Sequence, residues 1–304
     1  MLMRILLIGA SGAVGMHLTR QLTEQGHEVT GTCRSAASPG KVRAAGATPL
    51  VLDVLDAAAT RSAVLDTRPD AVIYQATALA GARFGRSLDK TFGPTNTLRT
   101  QGTANVIAAA QAAGVGKLIA QSFAPYRYAS PGPVACEDDP LLAKPPASAA
   151  QTFAAMTALD ETVTAAGGIA LRYGGFYGEP DQMTAAVAKR RYPLVGDGRG
   201  MMSFIHLHDA AAAAVAALEV DGPAIYNVTD DEPAPMHEWL PALAAALGAR
   251  PPRHVPGWAG HLAMGAGLDM MMQARGAANT KAKKELGWTP RYPSWRDGFR
   301  AIAA

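Results

Sequence analysis

The feature that most constrains this chain is a glycine-rich turn that directly follows its first apolar run. Residues 5–8 are strand-forming, and the next residues read Gly9-Ala10-Ser11-Gly12-Ala13-Val14-Gly15. A strand, a turn of this spacing and a helix place backbone N–H groups where they can bind a phosphate. Gly9 permits the tight turn, Gly12 lets a pyrophosphate approach the backbone, and Gly15 lets the helix pack against the strand. We therefore predict that a dinucleotide binds over Gly9, Ser11, Gly12, Ala13, Val14 and Gly15.

Apolar runs of strand length alternate with longer helical patterns through the first two thirds of the chain. The strands are predicted at residues 4–8, 28–32, 48–52, 71–75, 117–121 and 169–171, and the helices at 15–25, 57–66, 96–113 and 149–166. Further strands are predicted at 204–207 and at 225–228, the latter returning to the main sheet. This rhythm predicts an α/β Rossmann fold with a doubly wound parallel sheet. We assign residues 1–172 to it, with a returning part near 203–229, and residues 173–304 to a smaller, discontinuous C-terminal substrate lobe.

Composition favours a packed enzyme over a disordered chain, because 49% of residues are hydrophobic and 17% are charged. The net charge of +3 is small and gives no nucleic-acid footprint. Cys33 and Cys136 lack the spacing of a disulfide framework or a metal site. No apolar run approaches the ~20 residues that span a bilayer. We expect a cytoplasmic protein with a small-molecule substrate and with no metal, nucleic-acid or membrane partner, and the sequence leaves open whether it is a monomer or a homodimer.

The end of the second predicted strand indicates which nicotinamide cofactor binds. An NAD-binding protein of this kind carries an acidic residue there to hold the ribose hydroxyls, whereas this chain has Arg34 and Ser35. Arg34 can pair bidentately with a 2′-phosphate, Ser35 can donate a hydrogen bond, and Lys41 or Arg43 can assist. These residues predict NADPH or NADP as the cofactor, although Arg34 could also be a solvated loop charge.

Several further motifs are spread over nearly the whole chain. They are Asp53-Val54-Leu55-Asp56, Gly102-Thr103-Ala104-Asn105, Leu171-Arg172-Tyr173 with Tyr177-Gly178, Phe204-Ile205-His206-Leu207-His208-Asp209 and Leu286-Gly287-Trp288-Thr289-Pro290. With the glycine turn, they resemble the extended short-chain dehydrogenase/reductase family, which includes nucleotide-sugar epimerases and dehydratases. The resemblance implies a cofactor set that adds Asp53 at the adenine amine, Val54 at the adenine face, Ala76 and Thr77 at the ribose, and Tyr173. We expect Asp56 to cap a helix, and His206 and Asp209 to brace the junction between the lobes.

The sequence departs from this family at the residues that move protons. Family members use a serine together with Tyr-x-x-x-Lys on a helix, in which the lysine lowers the tyrosine pKa. Ser122 fits the serine, but the tyrosine and lysine positions hold Phe153 and Thr157, and the family's asparagine is replaced by Arg99. Neither Phe153 nor Thr157 can serve as the acid. Ser122, Tyr126 or Tyr128, and Arg99 are therefore the candidate catalytic groups, each of which could equally be structural.

A substrate with its own acidic phenol beside the carbonyl would need less help from the protein. This departure resembles atypical ketoreductases of bacterial aromatic-polyketide antibiotic pathways, the angucyclinone ketoreductases of simocyclinone biosynthesis. Apolar side chains in the loops support an apolar substrate; the predicted contacts are Phe84, Phe123, Phe153, Phe176 and Met202. The loop over residues 78–94 is a predicted lid.

The leading hypothesis is an NADPH-dependent ketoreductase that transfers hydride to a carbonyl of a largely apolar, aromatic polyketide or quinone-like substrate. A nucleotide-sugar epimerase or reductase is the first alternative, weakened because Met201-Met202-Ser203 stands where relatives carry Arg-Asp. A redox-dead NADP-sensing protein is the second alternative. It would keep the glycine turn and would need no apolar pocket.

Overall fold

The computed structural model describes residues 2–35, 38–79, 87–129 and 131–303. The strands, in chain order, are β1 (Arg4–Ile8), β2 (Glu28–Cys33), β3 (Thr48–Val51), β4 (Ala71–Tyr74), β5 (Lys117–Phe123), β6 (Val134–Ala135), β7 (Ile169–Tyr173), β8 (Gly175–Tyr177), β9 (Leu194–Val195), β10 (Met201–Met202), β11 (Phe204–His206), β12 (Ala224–Val228), β13 (Ala234–Pro235), β14 (His254–Val255) and β15 (Gly276–Ala277).

The α-helices are α1 (Ala13–Glu24), α2 (Pro39–Ala44), α3 (Ala57–Thr67), α4 (Leu88–Thr97), α5 (Thr103–Ala112), α6 (Ala150–Ala165), α7 (Gln182–Ala188), α8 (Leu207–Ala216), α9 (Met236–Ala246), α10 (Gly257–Met264), α11 (Ala266–Met272), α12 (Thr280–Glu285) and α13 (Trp295–Ala303). A π-helical turn (Leu98–Gly102) joins α4 to α5, and a 3₁₀ turn (Ala217–Glu219) follows α8. Within the described ranges, no helix combines the length and the apolar character needed to cross a membrane.

The central sheet has seven parallel strands in the order β12-β7-β5-β4-β1-β2-β3. The chain runs from β1 to one edge, returns to β4 beside β1, and continues to the other edge. The order in which the chain adds strands therefore reverses between β1 and β4, and α/β sheets of this kind bind their ligands at such a point. The predicted doubly wound fold is confirmed, and each of the six predicted core strands ends within two residues of its observed bounds.

Helices cover both faces of the sheet, so its inner strands β1, β4 and β7 are almost entirely buried, whereas the edge strand β3 is not. Along β1, Ile5 and Leu7 point into one apolar core and Leu6 and Ile8 into the other. This is why the strand reads as a continuous apolar run and shows no alternation with polar residues. The strand predicted at 225–228 is β12, which pairs with β7 and completes the sheet.

The helix predicted at 96–113 begins earlier than expected. The Ser87 hydroxyl accepts a hydrogen bond from the Lys90 N–H (3.3 Å), so α4 starts at Leu88 and leads through the π-helical turn into α5. The loop predicted over 78–94 is therefore wrong for residues 88–94, which are helical. Pro94 inside α4 disguised the helix, because proline usually indicates a helix end. Residues 80–86 of that loop lie outside the described residues.

A separate apolar core forms after β7 and includes several large aromatic side chains. Trp239 of α9 and Trp295 and Phe299 of α13 are all buried against Phe204 of β11. The strand predicted at 204–207 is β11, and it pairs with β8 outside the central sheet. Asp209 ties the two parts together, because its carboxylate accepts the backbone N–H groups of residues 291 and 292 at 2.9 and 2.8 Å. The structural role expected for Asp209 is thus observed.

Asp230 is a buried carboxyl group just beyond β12, and it is 1% exposed. Its Oδ1 accepts the Glu232 N–H at 3.3 Å, while its Oδ2 contacts no hydrogen-bond donor among the described residues. Burial raises the pKa of Asp230 from 3.8 to about 8. The folded protein therefore binds this proton more tightly than the unfolded chain does.

This raised pKa predicts a loss of stability with rising pH. The stabilisation from the protonated group is complete below about pH 4 and disappears as the pH rises through about 8. We expect Asp230→Asn, which mimics the protonated form, to gain thermal stability relative to wild type progressively between about pH 5 and about pH 9. Thermal denaturation across that pH range measures the difference in stability. Asp66→Asn, at an exposed carboxyl group, is the control. A difference that does not change with pH would contradict the assignment.

Candidate cofactor and substrate site

The predicted phosphate-binding turn lies at the carboxyl end of β1, against the end of β4. Gly9 has φ +87°, and a Cβ there would lie 2.9 Å from the backbone carbonyl of Gln75. The Gly9 N–H donates to the Thr32 hydroxyl at 3.1 Å, which ties the turn to β2 as well. Only glycine fits here, because both the positive φ and the close approach of two backbones exclude a side chain.

Gly15 and Gly12 serve two different purposes. A Cβ on Gly15 would lie 2.2 Å from the Gly9 oxygen, so this glycine lets α1 pack onto the turn, as predicted. A Cβ on Gly12 would meet only the Gly9 oxygen, at 3.3 Å, which the protein alone could tolerate. Gly12 begins α1 with no side-chain cap and no acidic residue in the first turn. This open, positively polarised helix end fits a pyrophosphate.

The side chains predicted to select the cofactor are exposed at the same edge of the sheet. β2 runs parallel to β1, so Arg34 and Ser35, which follow it, lie beside the glycine turn. The Ser35 hydroxyl is 3.5 Å from that of Ser38, just before α2. Lys41 and Arg43 of α2 are also exposed. Arg34, Lys41 and Arg43 are thus exposed at the edge of the sheet where a phosphate on the ribose is predicted to bind.

The other predicted cofactor contacts divide into exposed and buried residues. Asp53 is exposed, with Oδ1 accepting the Leu55 N–H at 3.0 Å, and Thr77 is exposed beyond β4, next to the half-buried Ala76. Val54 is 4% exposed and Tyr173 is fully buried, with its hydroxyl accepting from the Gln75 amide at 3.3 Å. The structure places both of these side chains in the core beneath the edge of the sheet, because apolar packing there outweighs contact with the cleft. Asp56 caps α3 as predicted, accepting the Ala59 N–H at 2.9 Å.

The residues at the family's proton-relay positions meet an arginine that the sequence reasoning missed. Ser122 lies near the end of β5, and Phe153 and Thr157 lie one helical turn apart on α6. The Arg127 guanidinium donates to the Ser122 hydroxyl at 3.4 Å and to the Thr157 hydroxyl at 3.3 Å. Ser122 is 2% and Arg127 1% exposed. A buried cation therefore lies between the serine and the position of the missing lysine.

Asp160 compensates Arg127 and extends the network across the sheet. Its Oδ2 accepts from Arg127 Nη1 at 2.7 Å and from Arg172 Nε at 2.8 Å. Arg172 donates to the Tyr128 hydroxyl at 3.0 Å, which in turn donates to Asn227 at 2.5 Å. The Tyr128 hydroxyl is therefore already engaged as both donor and acceptor inside this network. No local pattern in the sequence links Arg127 to Asp160, which is why this network was not predicted.

Arg99 lies in the π-helical turn and is 6% exposed. Its Nη1 donates to Asn96 Oδ1 at 3.3 Å, and its guanidinium lies 5.8 Å from the centre of the Phe92 ring. Burial and the nearby Arg127 charge lower the pKa of Arg99 to about 10. The Tyr74 hydroxyl donates to the Leu98 carbonyl in this turn at 2.8 Å. A Cβ on Gly102 would clash with the same hydroxyl, so the close approach of Tyr74 to the turn requires glycine there.

The predicted apolar contacts fall into separate groups. Phe123 and Phe153 lie together in a cluster with Met156 and with Met270 of α11, a contact that the sequence did not indicate. Phe176 instead packs on Tyr173, with ring centres 5.4 Å apart, and Met202 belongs to the core around Trp239. Phe84 lies outside the described residues. We name the cluster of Phe123, Phe153, Met156 and Met270 the apolar wall.

Tyr126 is half-buried at the apolar wall, and its backbone has φ +67°. A non-glycine residue in this region is strained, and such strain often accompanies functional sites. Burial raises the pKa of Tyr126 above its ordinary value. The phenol is therefore a weaker acid than a free tyrosine, and it does not replace a lysine-activated one.

Comparison with known proteins adds independent information. Residues 5–229 match the model of the NAD dependent epimerase/dehydratase family. The chain is 41% identical to 3-diazoavenalumate denitrifying reductase from a Streptomyces species, over 98% of this chain and 99% of the relative. It is 31% identical to 2-alkyl-3-oxoalkanoate reductase from Stenotrophomonas maltophilia, over 81% and 76%. UDP-glucose 4-epimerase of Thermus thermophilus in complex with NAD has the same fold, with a TM-score of 0.74, 23% identity, and coverage of 99% and 98%.

The glycine turn generates a paired prediction. Gly12→Ala should change the free energy of unfolding by only about 1 kcal/mol and weaken NADPH binding at least about tenfold, because the new Cβ meets the ligand and not the protein. Gly15→Ala should destabilise the fold itself by about 3 kcal/mol or more. Denaturant unfolding and NADPH fluorescence titration measure the two effects. Equal losses of stability in both variants would refute this division of roles.

Proposed function

Because the chain belongs to the NAD dependent epimerase/dehydratase family, we propose that it reduces an electron-poor aromatic acceptor with NADPH and without a tyrosine–lysine proton relay. It is an NAD(P)-dependent reductase, since its relatives over most of its length are reductases. This favours an enzyme over the sensing protein considered from the sequence. The cofactor preference and the acceptor are the parts proposed here.

The proposal rests on which residues occupy the positions of the family's tyrosine and lysine. Phe153 and Thr157 stand where the family has an acid and its activating cation, and Arg127 contacts both the Thr157 and the Ser122 hydroxyls. Arg127 cannot give up a proton, because the guanidinium remains charged. The site thus has a fixed positive charge but no relay, and this suits an acceptor whose reduction requires no proton from the protein.

A diazo-substituted aromatic compound meets this requirement. Its reduction breaks the carbon–nitrogen bond, releases dinitrogen and forms an aryl C–H bond with one hydride, so no proton is consumed at an oxygen. The name of the 41% identical relative includes a diazo compound and the word denitrifying, and this relative has nearly the same length as the chain. We therefore propose reductive removal of a diazo group as the activity.

Ketone reduction, the hypothesis from the sequence, is the second candidate. It is favoured by the 31% identical oxoalkanoate reductase. Hydride addition to a ketone creates an alkoxide that must gain a proton, and Ser122 or an acidic phenol of the substrate would have to supply it. The apolar wall suits an aromatic ring in either reaction. A sugar nucleotide fits an apolar wall less well.

The residues that would hold the cofactor are set out along the carboxyl edge of the sheet. The turn from Gly9 to Gly15 would bind the pyrophosphate, Arg34 and Ser35 the 2′-phosphate, and Asp53 the adenine. The cofactor supplies a hydride from its nicotinamide ring when bound. Arg34 is the member of this set that separates NADPH from NADH, because only the former carries the additional phosphate.

Arg34→Ala should weaken NADPH binding about 10- to 100-fold, the loss expected for a charge-assisted pair with a phosphate. NADH binding should remain unchanged. Fluorescence titration of both cofactors measures the effect, and Arg20→Ala, an exposed arginine on α1, is the matched control. If Arg34→Ala lowered both affinities equally, or neither, the NADPH assignment would fail.

The activity is tested by a panel of acceptors with NADPH: an ortho-hydroxy diazoarene acid, a hydroxyquinone, an aliphatic ketone and UDP-glucose. We expect the diazoarene to be turned over fastest, with mass spectrometry showing the C–H product. Deuterium at the transferred position of NADPH should slow single turnovers, whereas deuterated solvent should not, because no proton moves.

Turnover of the ketone or quinone alone, with a solvent isotope effect, would favour the second candidate. Epimerisation of UDP-glucose without turnover of any aromatic acceptor would overturn the proposal in favour of the nucleotide-sugar alternative. Tight NADPH binding with no reduction of any member would also overturn it.

A further inference from the structure

Two buried guanidinium groups pair with one buried carboxylate at the carboxyl edge of the sheet, and the charge of a third, that of Arg99, interacts with them. Arg99, Arg127 and Arg172 are 6%, 1% and 4% exposed, and Asp160 is 2% exposed. Asp160 pairs with Arg127 and Arg172. Within the described ranges, Arg99 makes no salt bridge; the neutral Asn96 amide oxygen accepts from it, and Phe92 lies beside it. Among the described residues, Arg99 is therefore a buried cation that no carboxylate contacts directly.

Such an arrangement is costly unless something balances it. An unpaired charge in a protein interior destabilises the fold, and buried charges are normally paired. The lowered pKa of Arg99 agrees with this, since burial and Arg127 oppose its charge by more than Asp160 and Tyr74 favour it. Yet a guanidinium stays protonated at neutral pH. A site that keeps an uncompensated cation is suited to an anion that arrives from solution.

The position of Arg99 indicates where such an anion would lie. Asn96, which accepts from Arg99, also donates to the Thr152 hydroxyl at 3.0 Å, next to Phe153 of the apolar wall. Arg99 is thus near the first turn of α6, and its charge interacts with those of Arg127 and Asp160 beside Ser122 and Thr157. It also lies in a π-helical turn, a local distortion that often occurs at functional sites.

We propose that Arg99 binds an ionised oxygen of the aromatic substrate, a phenolate or a carboxylate, and that it thereby selects acidic aromatic acceptors. This rests on the proposed function, because it assigns the substrate of the same site. Pairing the oxygen with Arg99 withdraws electron density from the ring, and this would make the ring a better hydride acceptor. Arg99 is then a specificity-determining residue.

The test measures binding of aromatic probes that are not turned over, with the full-length protein saturated with NADP⁺. The probes are 4-nitrophenolate, 4-nitrobenzoate and the neutral 4-nitroanisole, each titrated by calorimetry. We expect wild type to bind at least one anion about tenfold or more tightly than nitroanisole, the preferred anion distinguishing phenolate from carboxylate recognition. Arg99→Met should lose that preference, and Arg99→Lys should keep part of it, because lysine retains the charge but not the planar fork.

A stability measurement separates binding from a merely structural role. Without a ligand, Arg99→Met should unfold at the same temperature as wild type or higher, because it removes an unpaired buried charge. Arg61→Met on the exposed face of α3 is the matched control and should alter neither property. A lower unfolding temperature for Arg99→Met would identify a structural arginine and overturn the proposal.

Equal affinities of wild type for the anions and for nitroanisole would also overturn it. None of the probes is reduced, so these outcomes do not depend on the activity. Reduction of the diazoarene by a protein that shows no anion preference would leave the proposed function standing and refute only the role of Arg99. Anion selectivity without reduction of any acceptor would support the role of Arg99 and refute the proposed function.

Discussion

The contact on which the rest of this structure depends is the backbone-to-backbone packing of the β1–α1 turn. Gly15 lies directly on the Gly9 carbonyl, and Gly9 lies directly on the end of β4. Any Cβ at either position would separate α1 from the sheet or β1 from β4. This contact fixes the N-terminus of α1 at the point where the strand order reverses, and it leaves only the Gly9 oxygen close to the Cβ position of Gly12. The binding edge and the fold are thus set by the same few backbone atoms.

Beyond that edge, the site differs from the family pattern in the type of charge it uses. A tyrosine and a lysine form a relay because one can release a proton and the other tunes that release. Arg127 offers only a fixed charge, held by Asp160 and the Thr157 hydroxyl in a buried network that also engages Arg172. Such a network can orient Ser122 and polarise what lies near it, but it cannot supply a proton. The fold therefore constrains the cofactor more tightly than the reaction.

Sequence reasoning succeeded where the signal was local. The glycine spacing, the apolar runs of β1 and the Asp56 cap each lie within a short stretch, and the structure reproduces them. It failed where the deciding contact joins distant segments. Arg127 and Asp160 are 33 residues apart, and nothing near either residue signals the pair. The same holds for Met270, which reaches the apolar wall from α11, and for Val54, whose burial depends on the packing of α5 around it.

The acceptor that we propose is supported by the chemistry of the site as well as by the 41% identical relative. The fold is shared with sugar-nucleotide epimerases, but a fold does not determine a reaction. Three features of the candidate site favour one class of acceptor over the others. They are the apolar wall, the missing tyrosine–lysine relay and the excess of buried positive charge. An uncharged ketone would use the wall and would gain from the charge only as its alkoxide forms, whereas a sugar diphosphate would use the charge and gain little from the wall. An acidic aromatic acceptor uses both, and when its reduction releases dinitrogen it also has no need of the relay.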